Sequence, residues 1–167
     1  MHQFQKRALA LTLCLLILLL SSCGIAKKND YLAFQNRSFT AEIQGVLNEI
    51  EFTAKITSAC ADGGLRDLCV EFLSPTVLEG VKAECLGDSQ ARLTCGDLVL
   101  PATSEDLNGL LSPLTALLDL QTPSTVQKLD ENLLLSFPNQ TTLLLSPSLI
   151  PLSLDSPSVS YSVVWWE

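Results

Sequence analysis

Residues 158–166 read Ser-Val-Ser-Tyr-Ser-Val-Val-Trp-Trp, with Val159, Tyr161, Val163 and Trp165 on one parity and Ser158, Ser160 and Ser162 on the other. Successive side chains of a strand face opposite sides, so a period of two with one apolar face specifies a half-buried strand. The same period runs through most of the body. Phe39, Ala41 and Ile43 alternate in 38–46, Ile50, Phe52 and Ile56 in 50–58, and Leu68, Val70 and Phe72 in 67–73. Further strand-like runs lie at 81–86, 91–100, 124–130, 132–137, 141–146 and 149–154. The segments between them carry Gly, Asn, Asp, Ser and Pro, which supply the φ values and local hydrogen bonds that turns need. Turns are read at 47–49, 61–64 and 87–89, and Pro101 is read as the end of the strand over 91–100.

One stretch breaks the period. Leu107, Leu110, Leu111, Leu114, Leu117 and Leu118 follow the three-four spacing of an apolar helical stripe. Thr103 or Ser104 can cap it, and Glu105 and Asp106 suit the positive end of the helix dipole. Ser112-Pro113 is expected to divide it into two short helices, because Pro is comfortable at the first helical position after a Ser cap. About nine strands with this helical insertion define an α+β class: a curved antiparallel sheet with a short helix pair packed on one face.

The amino-terminal residues do not belong to that domain. Lys6 and Arg7 precede an uncharged apolar run over 8–20. At about 20 residues for a membrane-crossing helix the run is too short to span, and its charge, length and small flanking residues are those of an export signal. The run ends in Leu20-Ser21-Ser22-Cys23. Leu, two small residues and a cysteine resemble the lipobox of bacterial lipoproteins. That resemblance implies that the Cys23 thiol takes a diacylglyceryl group and that cleavage before Cys23 makes it the new amino terminus. Cleavage after Ala26, within Gly24-Ile25-Ala26, is the competing reading and would release a soluble protein. The expected organisation is a signal peptide over 1–22, a lipidated cysteine and tether over 23–33, and a single β-rich domain over 34–167. Two acyl chains hold a protein to a bilayer where one does not. The expected location is therefore the outer face of the bacterial plasma membrane, or the outer membrane where the host has one. Gly24 after the cysteine resembles the outer-membrane sorting pattern.

Processing also removes chemistry. The only histidine, His2, leaves with the signal, and the formal charge of −8 becomes more negative by two as Lys6 and Arg7 go. Without histidine there is no Ser-His-Asp triad, no Cys-His dyad and no histidine metal ligand. No Gly-rich phosphate loop and no Cys-x-x-Cys pair is present. The acidity argues against binding a nucleic-acid backbone. Carboxylates cluster at Asp97, Glu105 and Asp106 and at Asp130 and Glu131, but Glu105 and Asp106 are explained by the helix start they occupy. No catalytic residue, metal or diffusible cofactor is expected; the only attached group is the lipid on Cys23. With Cys14 in the signal and Cys23 lipidated, Cys60, Cys69, Cys85 and Cys95 remain. An even number in an exported chain permits two disulfides, with Cys60–Cys69 and Cys85–Cys95 the favoured pairs of three pairings and free buried thiols the alternative.

The hairpin ladder, including "CVEFLSPTVLEGVKAECLGDSQARLTCGDLVLP", followed by a helical plug before the last strands, resembles the lipoprotein-carrier half-barrels of the LolA/LolB/LppX-like group, and also small uncharacterised bacterial lipoproteins. The likeness is one of element order over 31–167. It implies an apolar groove between a concave sheet and the helices, with Phe39, Phe52, Phe72, Leu107, Leu110, Leu114 and Leu117 as candidate lining residues and a lipid or lipoprotein as ligand. An ordinary packed core is the stronger explanation of the same leucines, because a domain of this size needs one. Trp165-Trp166 supports a different role. One of two adjacent strand residues must face outward, and an exposed tryptophan is typical of interaction hot spots.

Overall fold

The computed structural model describes residues 30–60, 66–86 and 90–167, with the side chains of residues 104 and 108–110 left aside. The expected signal peptide, the lipobox and the turns at 61–64 and 87–89 fall outside the described residues. Residues 31–167 form one compact unit.

Its frame is one antiparallel sheet of eleven strands, ordered β6-β5-β4-β3-β2-β1-β11-β10-β9-β8-β7. The strands are β1 (Phe39–Leu47), β2 (Ile50–Cys60), β3 (Arg66–Ser74), β4 (Val81–Leu86), β5 (Gln90–Cys95), β6 (Leu98–Thr103), β7 (Thr125–Leu129), β8 (Asn132–Ser136), β9 (Thr142–Leu145), β10 (Pro151–Asp155) and β11 (Val159–Trp166). The sheet is open and curved, with β6 and β7 as its edges. Strands adjacent in sequence pair with each other except β6 and β7, which form the two edges, and the first and last strands join the two halves at a seam where β1 meets β11. Tight turns make this ladder. Asn48 and Glu49 both take positive φ between β1 and β2, the backbone of a primed turn whose twist matches the strands.

The alternation holds in register. Ile43 lies opposite Ala54, Ala54 opposite Phe72, Ile56 opposite Val70, and Val70 opposite Ala83. These residues are all buried, and they share one face with Leu135, Leu143, Leu154 and Tyr161 from the other half. That inner face carries the core. Gly45 is placed where β11 crosses β1: a Cβ there would collide with the Ser160 carbonyl oxygen and lie 2.5 Å from Tyr161 Cβ.

Three local readings need correction. The run over 91–100 is two strands, because Gly96, with φ +56°, turns the chain with Asp97 between β5 and β6. Glycine first in a two-residue turn is the expected chemistry of a tight hairpin. Pro101 therefore lies inside β6, and proline is tolerated there because β6 is an edge strand. Ser112-Pro113 does not divide the helix: α1 spans Ser104–Leu114, and a short 3-10 turn, Ala116–Leu118, follows. Pro113 is one residue from the helix end, so little of the hydrogen-bond ladder lies beyond it to be disturbed. Lastly, a bulge shifts the β1–β11 register between Glu42 and Ile43, so that Trp166 rather than Trp165 returns to the face shared by Val163.

Candidate functional site

The helix is fixed at both ends. Thr103 caps its start: the Asp106 amide donates to Thr103 Oγ1 (3.2 Å), and the Thr103 amide donates back to Asp106 Oδ2 (2.9 Å). The Thr103 hydroxyl, donating to Asp106 Oδ2 at 2.7 Å, and after it the Thr103 amide hold the Asp106 carboxyl below its ordinary pKa. The far end is buried, where its last carbonyls cannot reach water and need partners. Tyr161 on β11 supplies one, donating its hydroxyl to the Leu114 carbonyl at 3.2 Å. Gln35, in an amino-terminal 3-10 turn (Ala33–Asn36), supplies two more from Nε2, to the Leu117 (2.8 Å) and Leu120 (3.0 Å) carbonyls. Thr115 Oγ1 donates to the Leu111 carbonyl at 3.0 Å. Burial pushes the Tyr161 phenol well above its usual pKa, with the Leu117 backbone pulling weakly the other way.

The sequence-derived lining residues come together, but as a packed cluster. Phe39, Phe52, Phe72, Leu107, Leu114 and Leu117 are all buried and belong to one core with Leu111 and Leu120; the Leu110 side chain is outside the described residues. The cavities found lie around this cluster. One of about 480 Å³ runs beside Ala116, Asp119, Leu120 and Phe137, and one of about 300 Å³ opens between Arg66, Leu68, Cys85 and Leu118.

Uncovered apolar residues of the inner face lie elsewhere, Ile50 opposite Leu47 among them at 57% exposed. On the β5–β6 wing Leu93 is half-buried, and its neighbours Leu100 and Leu98 keep 45% and 57% of their surface exposed. Leu93 pairs with both Ala83 and Leu100, which fixes this row to the core side of the sheet. Sequence reasoning missed Leu98 and Leu100. Reading 91–100 as one strand puts Leu93 and Leu98 on opposite parities, and only the turn at Gly96-Asp97 brings Leu98 and Leu100 back to the inner face. The adjacent edge is partly closed to further strand pairing. Pro101 has no N–H to offer, and the Thr103 amide is spent on Asp106.

The four cysteines of the domain are free thiols. In this structure Cys60 and Cys69 are not placed as a pair: Cys69 lies opposite Thr57 and Glu84 on the outer face while Cys60 shares the inner parity of Ser58. Cys85 and Cys95 share the inner face but pair with Ala91 and Val81 instead of each other. Burial, and secondarily the Glu84 charge, raises the Cys69 pKa, and burial raises that of Cys85. Both are therefore protonated at neutral pH, the opposite of an activated nucleophile. Among the described residues no group of acidic, histidine or cysteine side chains is arranged to hold a metal. The outer face carries ion pairs of Lys82 with Glu71 (3.3 Å) and of Arg92 with Glu84, together with exposed Val99 on β6.

At the amino-terminal side of β1, Trp166 stacks on Phe39 with ring centroids 4.2 Å apart and meets Phe34 edge-on at 5.9 Å. Trp165 faces outward, as expected of one member of the pair, and is 44% exposed beside Val164 at 57%.

An open antiparallel sheet with a helix on the face that carries its core defines the class: an α+β domain built from successive hairpins. Among solved structures, it is similar to an uncharacterized conserved protein from Thermus thermophilus (TM-score 0.52, 17% identity, 83% of each chain covered), a likeness of fold. A LolA-superfamily protein from Nitrosomonas europaea also matches, at TM-score 0.41 and 11% identity over 79% of this chain and 86% of that one. No protein-family profile and no curated protein matches the sequence.

Proposed function

We propose that this chain is a membrane-anchored cell-envelope lipoprotein without catalytic activity, held through a diacylglyceryl group on Cys23, whose domain takes a lipid or other hydrophobic ligand. In this reading the sheet is a half-barrel, the helix plugs its concave face, and the ligand lies along the wing that the plug leaves open. The observation that carries the reading is the inward-facing pair Leu98 and Leu100, apolar yet exposed, beside half-buried Leu93. Apolar side chains on a core face are normally buried, and a contiguous uncovered group marks a contact surface. The alternative, a surface protein-interaction module with a filled core, is favoured by the complete burial of Leu114, Leu117 and Phe72.

Two experiments separate these parts. Intact-mass analysis of the mature chain should show a diacylglyceryl adduct that Cys23→Ser abolishes; an unmodified amino terminus at Lys27 would sink the anchoring. Native and denaturing mass spectra of residues 24–167, which include the whole compact unit, test the ligand. Extra mass lost on denaturation, recovered as lipid in an organic extract and reduced by Leu98→Ser with Leu100→Ser, is the expected result. A bare protein mass would favour the interaction module.

A further inference from the structure

We infer that the cavity of about 300 Å³ beside the end of α1 binds a small zwitterion, with the anionic group on Arg66 and the ammonium towards Asp119. The inference goes beyond the lipid anchor and the β5–β6 leucines and depends on neither. Strand parity places Arg66. It lies opposite Cys60 on β2 and alternates in phase with Leu68, Val70 and Phe72, so it belongs to the inner face. A guanidinium carries five N–H donors in a rigid fork. Nη2 of Arg66 reaches Cys60 Sγ, a soft acceptor 3.6 Å away, and Nη1 is buried with no hydrogen-bond partner. A buried donor without an acceptor is costly and calls for an explanation. A carboxylate or phosphate against the guanidinium supplies the missing acceptor with matching charge and paired hydrogen bonds.

The opposite charge lines the same space. Asp119 follows the 3-10 turn Ala116–Leu118 and shares the cavity wall with Leu111 and Ser112 from the last turn of α1. The carboxyl end of a helix carries partial negative charge, so helix and carboxylate both favour a cation on that side. Among the described residues no ion pair joins Asp119 to Arg66, and these two are the charged members of the described lining. A bare anion gains Arg66 but is repelled by Asp119, and a bare cation meets the reverse. A ligand carrying both groups satisfies both. Exposure sets its direction: Arg66 is half-buried and Asp119 exposed, so the anionic group enters first and the ammonium stays at the rim. Leu68, Leu118 and Cys85 add apolar wall for a short aliphatic body. A free apolar amino acid and a phosphoethanolamine headgroup share this chemistry.

Titration calorimetry on the full chain in non-ionic detergent at neutral pH tests the site with four probes. They are L-leucine, O-phosphoethanolamine, and the two halves of leucine: 4-methylpentanoate, without the ammonium, and 3-methylbutylamine, without the carboxylate. The expected result is saturable binding of a zwitterion, at least about tenfold tighter than either half. The tighter of the two zwitterions tells a free amino acid from a lipid headgroup. Arg66→Gln and Asp119→Asn should each weaken that binding at least about tenfold. Asp119 is exposed, so its variant keeps the fold even where Arg66→Gln disturbs β3, and urea unfolding checks both. No saturable heat from either zwitterion up to about 10 mM would overturn the site. So would 4-methylpentanoate binding as tightly as leucine, or an unchanged affinity in folded Asp119→Asn.

Discussion

The two wings of the sheet present the same pattern to the core and meet different fates. On β8 and β9 the inward residues Leu135, Leu143 and Leu145 are fully buried and Leu133 is half-buried, with Val126 on the edge strand β7 41% exposed, whereas on β5 and β6 Leu93 is half-buried and Leu98 and Leu100 are exposed. Side-chain size around the helix accounts for much of the difference. The inner face of β4, β5 and β6 carries Ala83, Ala91 and Ala102, small residues that bring little apolar bulk of their own to the core. The leucines of β8, β9 and β10 are long enough to reach the core cluster from the other side. Period alone tells which way a residue faces; what covers it depends on where another element lies.

The most damaging way to break the comparison is to separate the wings. Gly45→Val at the β1–β11 seam would drive a side chain into the Ser160 carbonyl and the Tyr161 Cβ, and neither can yield without moving backbone. The expected loss is at least about 3 kcal/mol, at the upper end for one substitution. It should appear as a collapsed or absent cooperative thermal transition. A variant melting within a few degrees of the wild type would mean that the seam is not the joint on which both wings depend.

Truncating one leucine in each wing measures the contrast directly. Leu143→Ala empties a fully buried site and should cost about 2–5 kcal/mol, while Leu100→Ala should stay within roughly 0.5 kcal/mol. Urea unfolding at neutral pH reads both. Equal losses would show that the β6 leucines are covered in solution, and the proposed ligand surface would go with that exposure. A smaller effect is expected where β11 holds the buried end of the helix. Tyr161→Phe leaves the Leu114 carbonyl without its donor, at about 1–2 kcal/mol. An unchanged urea midpoint would mean that the carbonyl finds another partner.

Much of the inner face is legible in the sequence, because Phe39, Ile43, Phe52, Ile56, Val70 and Phe72 alternate without interruption. So is the helix start, where Thr103, Glu105 and Asp106 state a cap in residue chemistry. What escapes is set by single residues with two readings. Gly96-Asp97 sits between apolar flanks and passes for strand, yet the positive φ of Gly96 reverses the chain and exchanges the faces of everything up to Thr103. The bulge at Val164 does the same to the tryptophans. The candidate site depended on both slips. The phenylalanines of the alternating strands and the leucines of the helical stripe are the residues that pack into one core, and the uncovered row was hidden behind a misplaced turn.

The smallest expected effect concerns the outer face of the open wing. Arg92 on β5 donates to Glu84 on β4, and that hydrogen bond is the largest cause holding the Glu84 carboxyl below its ordinary value. A carboxyl whose folded pKa is depressed contributes stability above its unfolded pKa and loses it as pH falls through the folded value. Both side chains are well solvated, so the contribution is screened and small. Arg92→Ala should therefore lower the urea midpoint slightly at pH 7 and not at all once Glu84 is protonated in acid, so the wild-type and variant curves converge as pH falls. Leu143→Ala, which removes no charge, should keep its deficit across the same range. If the Arg92→Ala deficit persisted unchanged in acid, the arginine would be acting by packing its aliphatic stem on the sheet. The β4–β5 wing would then depend on apolar contact on both faces, and its difference from the leucine wing would be narrower than the inner face alone indicates.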